Sequence, residues 1–253
     1  MDQLLRAAKP ADSTLLVIDV TGCPGAGSST LAAALAARFG VVARVPGREP
    51  DGDPPDLLIR TIGAQVREAD RTAIGSVDIP VVVVAGKADT RPDAARLADV
   101  AGRELGRPVV TVSGLLAAAH LDEDDLGVLR AWSAAGVAVP TSAAEFAALG
   151  DEGRPTSAAE QQIRARFIAG IGRAGLVAAL RVVGETPDLS AAAVTAALRS
   201  MSGVDALVAP IAASAEQIAR GRRARRLSGL RLHAARGFDR EAVESRLILE
   251  SVR

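Results

Sequence analysis

Residues 15–40 read LLVIDVTGCPGAGSSTLAAALAARFG, and this stretch decides the fold. Leu15–Val20 is a compact β-branched run, the next residues are glycine-rich, and Ser29–Phe39 is patterned as an apolar helix. Gly22 and Gly27 stand five apart, followed by Ser28, Ser29 and Thr30. This is the GxxxxGK[ST] spacing of a phosphate-binding loop, in the strand–turn–helix context the motif requires. Gly25 and Gly27 would let backbone N–H groups approach phosphate oxygens, and the helix start adds partial positive charge. Ser29 stands where the magnesium-binding hydroxyl belongs, and Ser28 stands where the lysine belongs. Phosphoryl transfer rests mainly on positioned charge. A serine there offers a hydrogen bond but no charge.

Outward from the loop, strands and helices alternate. Further strands are expected at Val41–Val45, Asp56–Thr61, Ile79–Ala85 and Pro108–Val112, and helices at Val66–Ile74, Asp93–Leu105 and Asp122–Ala135. Strand runs apolar throughout are those of parallel strands buried on both faces. The fold class expected is α/β, a small doubly wound, mainly parallel five-stranded sheet followed by an all-helical C-terminal region. Beyond Pro140 the strands stop. Thr141–Glu145 and Thr156–Glu160 both carry Ser followed three residues later by Glu, a helix-start signature. Helices are expected over Ala158–Ile171, Gly175–Val183, Ser190–Ser200, Val204–Arg236 and Arg240–Val252, with Pro210 starting or kinking the fourth. Gly150–Pro155 reads as a linker, dividing the chain into residues 1–149 and 150–253.

Composition narrows the chemistry. With one cysteine, Cys23, no intramolecular disulfide or cysteine-rich metal site can form. No apolar run approaches the ~18 residues of a membrane span, and the polar N-terminus has no secretory signal, so a cytoplasmic location is expected. His120 and His233 lack ligand-spaced companions, and the acidic run Asp122–Asp125 suits a helix N-terminus better than a cation site. Equal numbers of acidic and basic residues hide an asymmetry: bases prevail after Gly150, concentrated at Arg220, Arg222, Arg223, Arg225, Arg226, Arg231 and Arg236. No aromatics interleave with them, so nucleic acid is disfavoured as a partner. Pairing with acids of the first region or with a protein partner is favoured, and peripheral membrane contact is a further reading.

At Val81–Asp89, VVVVAGKAD, a buried strand ends in Lys87-Ala88-Asp89. With the loop, this resembles P-loop GTPases of the translation-factor and dynamin-like class, over residues 13–120. The resemblance implies that Asp89 takes the guanine N1 and N2 hydrogens and that Lys87 lies along the base plane. It implies that Ser113, in Thr111–Gly114, belongs to the last base-contacting loop. The cofactor implied is GTP or GDP with magnesium, the metal on Ser29. The usual asparagine of the guanine motif is Gly86. Between the loop and Asp56 there is no room for a first switch and its strand, and the Asp-x-x-Gly position holds Arg44 in Arg44–Gly47, or Arg60 in Arg60–Gly63. The loop lysine, the magnesium-side aspartate and the first switch are all missing. The expectation is a non-catalytic, GTPase-like (pseudo-GTPase) regulatory or scaffolding protein, acting by protein association, with an active dynamin-like GTPase as the partner the resemblance suggests. The competing expectation is a GTP-dependent switch that borrows charge from Arg44, Arg48 or a partner.

Overall fold

The computed structural model describes residues 15–47, 52–148, 157–236 and 240–251. Strands β1 (Val17–Gly22), β2 (Val42–Arg44), β3 (Leu57–Ile62), β4 (Val81–Gly86) and β5 (Val109–Val112) form one sheet, ordered β2-β1-β3-β4-β5. Every pairing is parallel, as the apolar runs required. The expected linker at Gly150–Pro155, and Arg48, lie outside the described residues.

Helices cover both faces. On one, α1 (Ser28–Phe39) places Leu31, Ala32 and Leu35 against Ile18, Val20, Ile59 and Val84. On the other, α2 (Glu68–Gly75) and α3 (Ala94–Leu105) pack around Ile62, Val83, Ala85, Ala98 and Ala101. A short helix, α4 (Gly114–Ala117), follows β5, and α5 (Glu123–Ala134) is capped reciprocally by Asp122 and Asp125. The acidic run therefore opens a helix, as its dipole favours.

The helical region comprises α6 (Ala143–Ala148), α7 (Ala158–Glu185), α8 (Ala191–Ser200), α9 (Val208–Ala213), α10 (Ala215–Ala235) and α11 (Arg240–Ser251). Ser142 and Ser157 accept the amide hydrogens of Glu145 and Glu160, so both predicted helix starts are capped by the serine. The expected break after Ile171 is a kink: α7 is continuous except at Gly172, whose φ of 69° is open to glycine at little cost. The helix expected over Val204–Arg236, with a start or kink at Pro210, is three pieces, a 3-10 turn at Val204–Leu207, then α9, which contains Pro210, then α10. Ser214 makes the second break. Its hydroxyl donates to the carbonyl of Pro210, the acceptor that a continuing helix would give to its amide.

The helices do not pack apart from the first region. One apolar core joins Leu121, Leu126, Leu129 and Trp132 with Phe146, Phe167, Leu176 and Leu198. Phe146 and Phe167 both contact the Trp132 ring, and the buried Arg164 guanidinium lies over Trp132 and Phe146 while paired with Glu160 at 2.7 Å. Contrary to the expectation that no membrane-length apolar stretch exists, α7 is long and apolar enough to cross a bilayer. Phe167, Ile171, Leu176, Ala179 and Val183 on it are buried in this core.

Candidate functional site

The sheet order creates a topological switch point. The chain leaves β1 toward β2, then returns across it to β3, so the loops after β1 and β3 diverge at their C-terminal ends. Ligands of open α/β sheets bind in such crevices. A cleft of about 240 Å³ lies here, lined by Cys23, Gly25, Ile62, Arg67, Lys87 and Arg91 among others.

Its first wall is the glycine-rich loop. Cys23-Pro24-Gly25-Ala26 is a tight turn closed by the Ala26 amide donating to the Cys23 carbonyl at 3.0 Å, with Gly25 at φ 81°. Proline followed by a left-handed glycine is the type II pattern. This closure uses one loop amide, and Pro24 has none to offer, which reduces the backbone donors left for an anion. The Ser28 hydroxyl is folded back on the strand: it lies 2.6 Å from where a Cβ on Gly22 would sit. It packs against β1 at the position where an active loop would extend a lysine.

The second wall starts from a charge buried in an apolar strand. Arg60 on β3 is 7% exposed. Its Nε and Nη2 both reach Asp70 Oδ1, at 2.9 and 2.7 Å, and Asp70 Oδ2 accepts the Arg67 amide at 2.9 Å. One carboxylate thus neutralises Arg60 and caps α2. Arg60 Nη2 also stands 3.8 Å from Cys23 Sγ, tying β3 to the loop.

The third wall is the end of β4. A Cβ on Gly86 would sit 2.4 Å from the Ala26 carbonyl oxygen, so the loop packs against the strand where an asparagine side chain would otherwise stand. Lys87 follows in the left-handed conformation, φ 57°, the one non-glycine residue with positive φ among the described residues. Its Cγ is 3.8 Å from where a Cβ on Gly27 would lie.

Of the residues expected to bind nucleotide, Gly25 and Lys87 line this cleft. Gly22, Gly27, Ser28, Ser29 and Thr30 form the neighbouring turn and start of α1, outside the cleft lining. Asp89 lies against the helical region, with Oδ2 3.5 Å from where a Cβ on Gly172 would sit. Ser113 is 1% exposed; its amide donates to the Ser202 carbonyl at 2.8 Å and its hydroxyl accepts the Leu116 amide. Lys87 thus lines the cleft, while Asp89 and Ser113 face α7 and the turn after α8.

Arg44 pairs with Asp19 at 2.8 Å and donates to the Asp53 carbonyl. Arg44, the first candidate for the Asp-x-x-Gly position, is thus a cation committed to a structural pair, as is the second, Arg60. Among the described residues, no cluster of three or more His, Cys, Asp or Glu side chains could hold a metal. Ser28, folded back on β1, and Arg44, committed to Asp19, leave this loop without the lysine and the acidic charge that a magnesium–nucleotide site uses. The arginine helix α10 docks below the sheet. Arg222 and Arg225 both reach Asp56 at 2.5 Å, and Asp56 Oδ2 accepts the Val17 amide at 3.0 Å. Burial alone would raise the Asp56 carboxyl. The Arg222 hydrogen bond, the Val17 amide and the charges of both arginines outweigh that and hold it below the usual carboxylate range.

Asp70, Arg67 and Arg91 were not singled out in the sequence. The Arg67-to-Asp70 spacing at a helix start was the available signal for the first two; Arg91 had none beyond following the Lys87–Asp89 motif. The chain matches no protein-family model and no curated protein.

Proposed function

We propose that this protein is a non-catalytic relative of P-loop GTPases, a pseudo-GTPase that regulates or scaffolds through protein association. One observation carries the reading. The loop position that needs a lysine holds Ser28, and its hydroxyl turns back onto β1 instead of outward. The pairing of Arg44 with Asp19 supports it, because the opposite, acidic charge is needed beside magnesium. The parallel order, with the loop strand internal, is compatible with a GTPase-like sheet that has lost its first-switch strand. Without charge at the transferring phosphate, the hydrolysis barrier stays high.

Association is supported by exposed apolar side chains on the helical region, among them Val177, Met201, Val208, Leu232 and Ile248. The resemblance suggests an active dynamin-like GTPase as the partner. Calorimetric titration with GDP, GTP and ATP, with and without magnesium, tests the nucleotide side. The expected result is no guanine preference and no effect of Asp89→Ala. Micromolar, magnesium-dependent, guanine-selective binding that Asp89→Ala abolishes would replace this reading with a nucleotide switch.

A further inference from the structure

Three cationic side chains, Arg67, Lys87 and Arg91, converge on the 240 Å³ cleft. Among the described residues none of the three has a carboxylate partner. Each belongs to a different stretch: Arg67 precedes α2, Lys87 ends β4, and Arg91 follows the 3-10 turn Ala88–Thr90. The acid in the wall, Asp70, is spent on Arg60 and the Arg67 amide. The lining is therefore net positive, which favours an anion over a neutral or cationic ligand. Lys87 also keeps a left-handed backbone, φ 57°, which non-glycine residues adopt uncommonly. Strain of this kind, at the mouth of a cleft, is a pointer to function.

We propose that this cleft binds a compact phosphorylated anion of diphosphate size, held by Arg67, Lys87 and Arg91 without a purine base or a divalent metal. The planar guanidinium forks of the two arginines suit phosphate oxygens, and Lys87 adds a point charge. Size sets the upper limit: the cleft falls below the roughly 300–1,000 Å³ that drug-sized ligands occupy. Its apolar wall is Pro24, Ile62 and Ala64, with no aromatic face on which a base could stack. The site is separate from the start of α1, since Ser28–Thr30 do not line it. It goes beyond the proposed function, because the anion can bind whether or not the chain turns over nucleotide.

The test uses the full-length chain, chelator throughout, and inorganic pyrophosphate as probe. Calorimetry compares pyrophosphate with GDP, which separates a free diphosphate from the phosphate tail of a nucleotide. Cys23 gives a second readout, because it is the only cysteine and lines the cleft. Pyrophosphate and GDP should bind within a few-fold of each other, more weakly at high salt. Arg67→Gln and Arg91→Gln should each weaken binding about tenfold, on the order of 1.4 kcal/mol, whereas Arg181→Gln on α7 should leave it unchanged. Saturating pyrophosphate should slow the reaction of Cys23 with an anionic thiol reagent several-fold. Two results would overturn the proposal: neither heat nor protection of Cys23 with pyrophosphate, or unchanged affinity in natively folded Arg67→Gln and Arg91→Gln. GDP binding a hundredfold tighter than pyrophosphate would overturn it as well, by requiring a base site.

Discussion

Gly86 changes meaning between sequence and structure. In the sequence it stands for a missing asparagine, one lost tether to a guanine base. In the structure it is what lets Ala26 approach, since a Cβ there would meet the Ala26 carbonyl oxygen at 2.4 Å. The nearest atom is backbone, and the next, Thr61 Cγ2 at 2.7 Å, belongs to a short buried side chain, so neither yields cheaply. Gly86→Asn should therefore not repair a binding site. It should destabilise the fold by about 1–3 kcal/mol through overpacking, read as a lowered midpoint in denaturant. An unchanged midpoint would mean that the loop sits farther from β4. Ser28 and Arg60 follow the same logic. The sequence shows which residue types are absent from the phosphate apparatus. It does not show that Ser28 folds back on β1 or that Arg60 turns inward to Asp70, because both depend on how side chains a turn or a loop away are oriented, which residue type and spacing do not fix.

At the scale of elements, β-branched runs and helix caps were legible because their causes are local. All five strands lie within two residues of their expected starts, and the caps at Asp122, Ser142 and Ser157 are in place. The break at Ser214 was not legible, since a serine hydroxyl competing for the Pro210 carbonyl leaves no pattern in hydropathy. Nor could spacing reveal that Asp56 would receive two arginines from α10, more than 160 residues away. That contact makes α10 docking pH-dependent. The Asp56 carboxyl sits below its ordinary value of ~3.9, so its contribution is fully present above that value. It is lost as pH falls through the lower, folded value. Amide exchange along α10 should accelerate in acid, more than along the sheet. Asp56→Ala should produce the same loosening at neutral pH and cost about 2–3 kcal/mol, less than a fully buried pair because both arginines are about one-third exposed. Equal exchange in wild type and Asp56→Ala would show that α10 is held by other contacts.

Over the whole molecule, the α/β class and the helical second half followed from the alternation of runs. Their mutual packing did not. The core around Trp132 joins Leu121, Leu126, Leu129 and Phe146, all before residue 150, to Phe167, Leu176 and Leu198 beyond it. The same helices bring Gly172 to Asp89 and Ser202 to Ser113. Residues that motif spacing groups as one base-binding set are thereby divided between a positive cleft and a packed helical interface. On the proposed reading, what the fold keeps of a nucleotide apparatus is its framework of strand, turn and helix. The charges that would drive hydrolysis are absent or used elsewhere: Ser28 has none, and Arg44 is held by Asp19. The most direct test is phosphate release from GTP by the purified full-length chain in magnesium, beside a Gly25/Gly27 double variant and Ser29→Ala. The expected result is one rate for all three, indistinguishable from buffer. Magnesium-dependent release by the wild type that disappears in Ser29→Ala would contradict the non-catalytic reading.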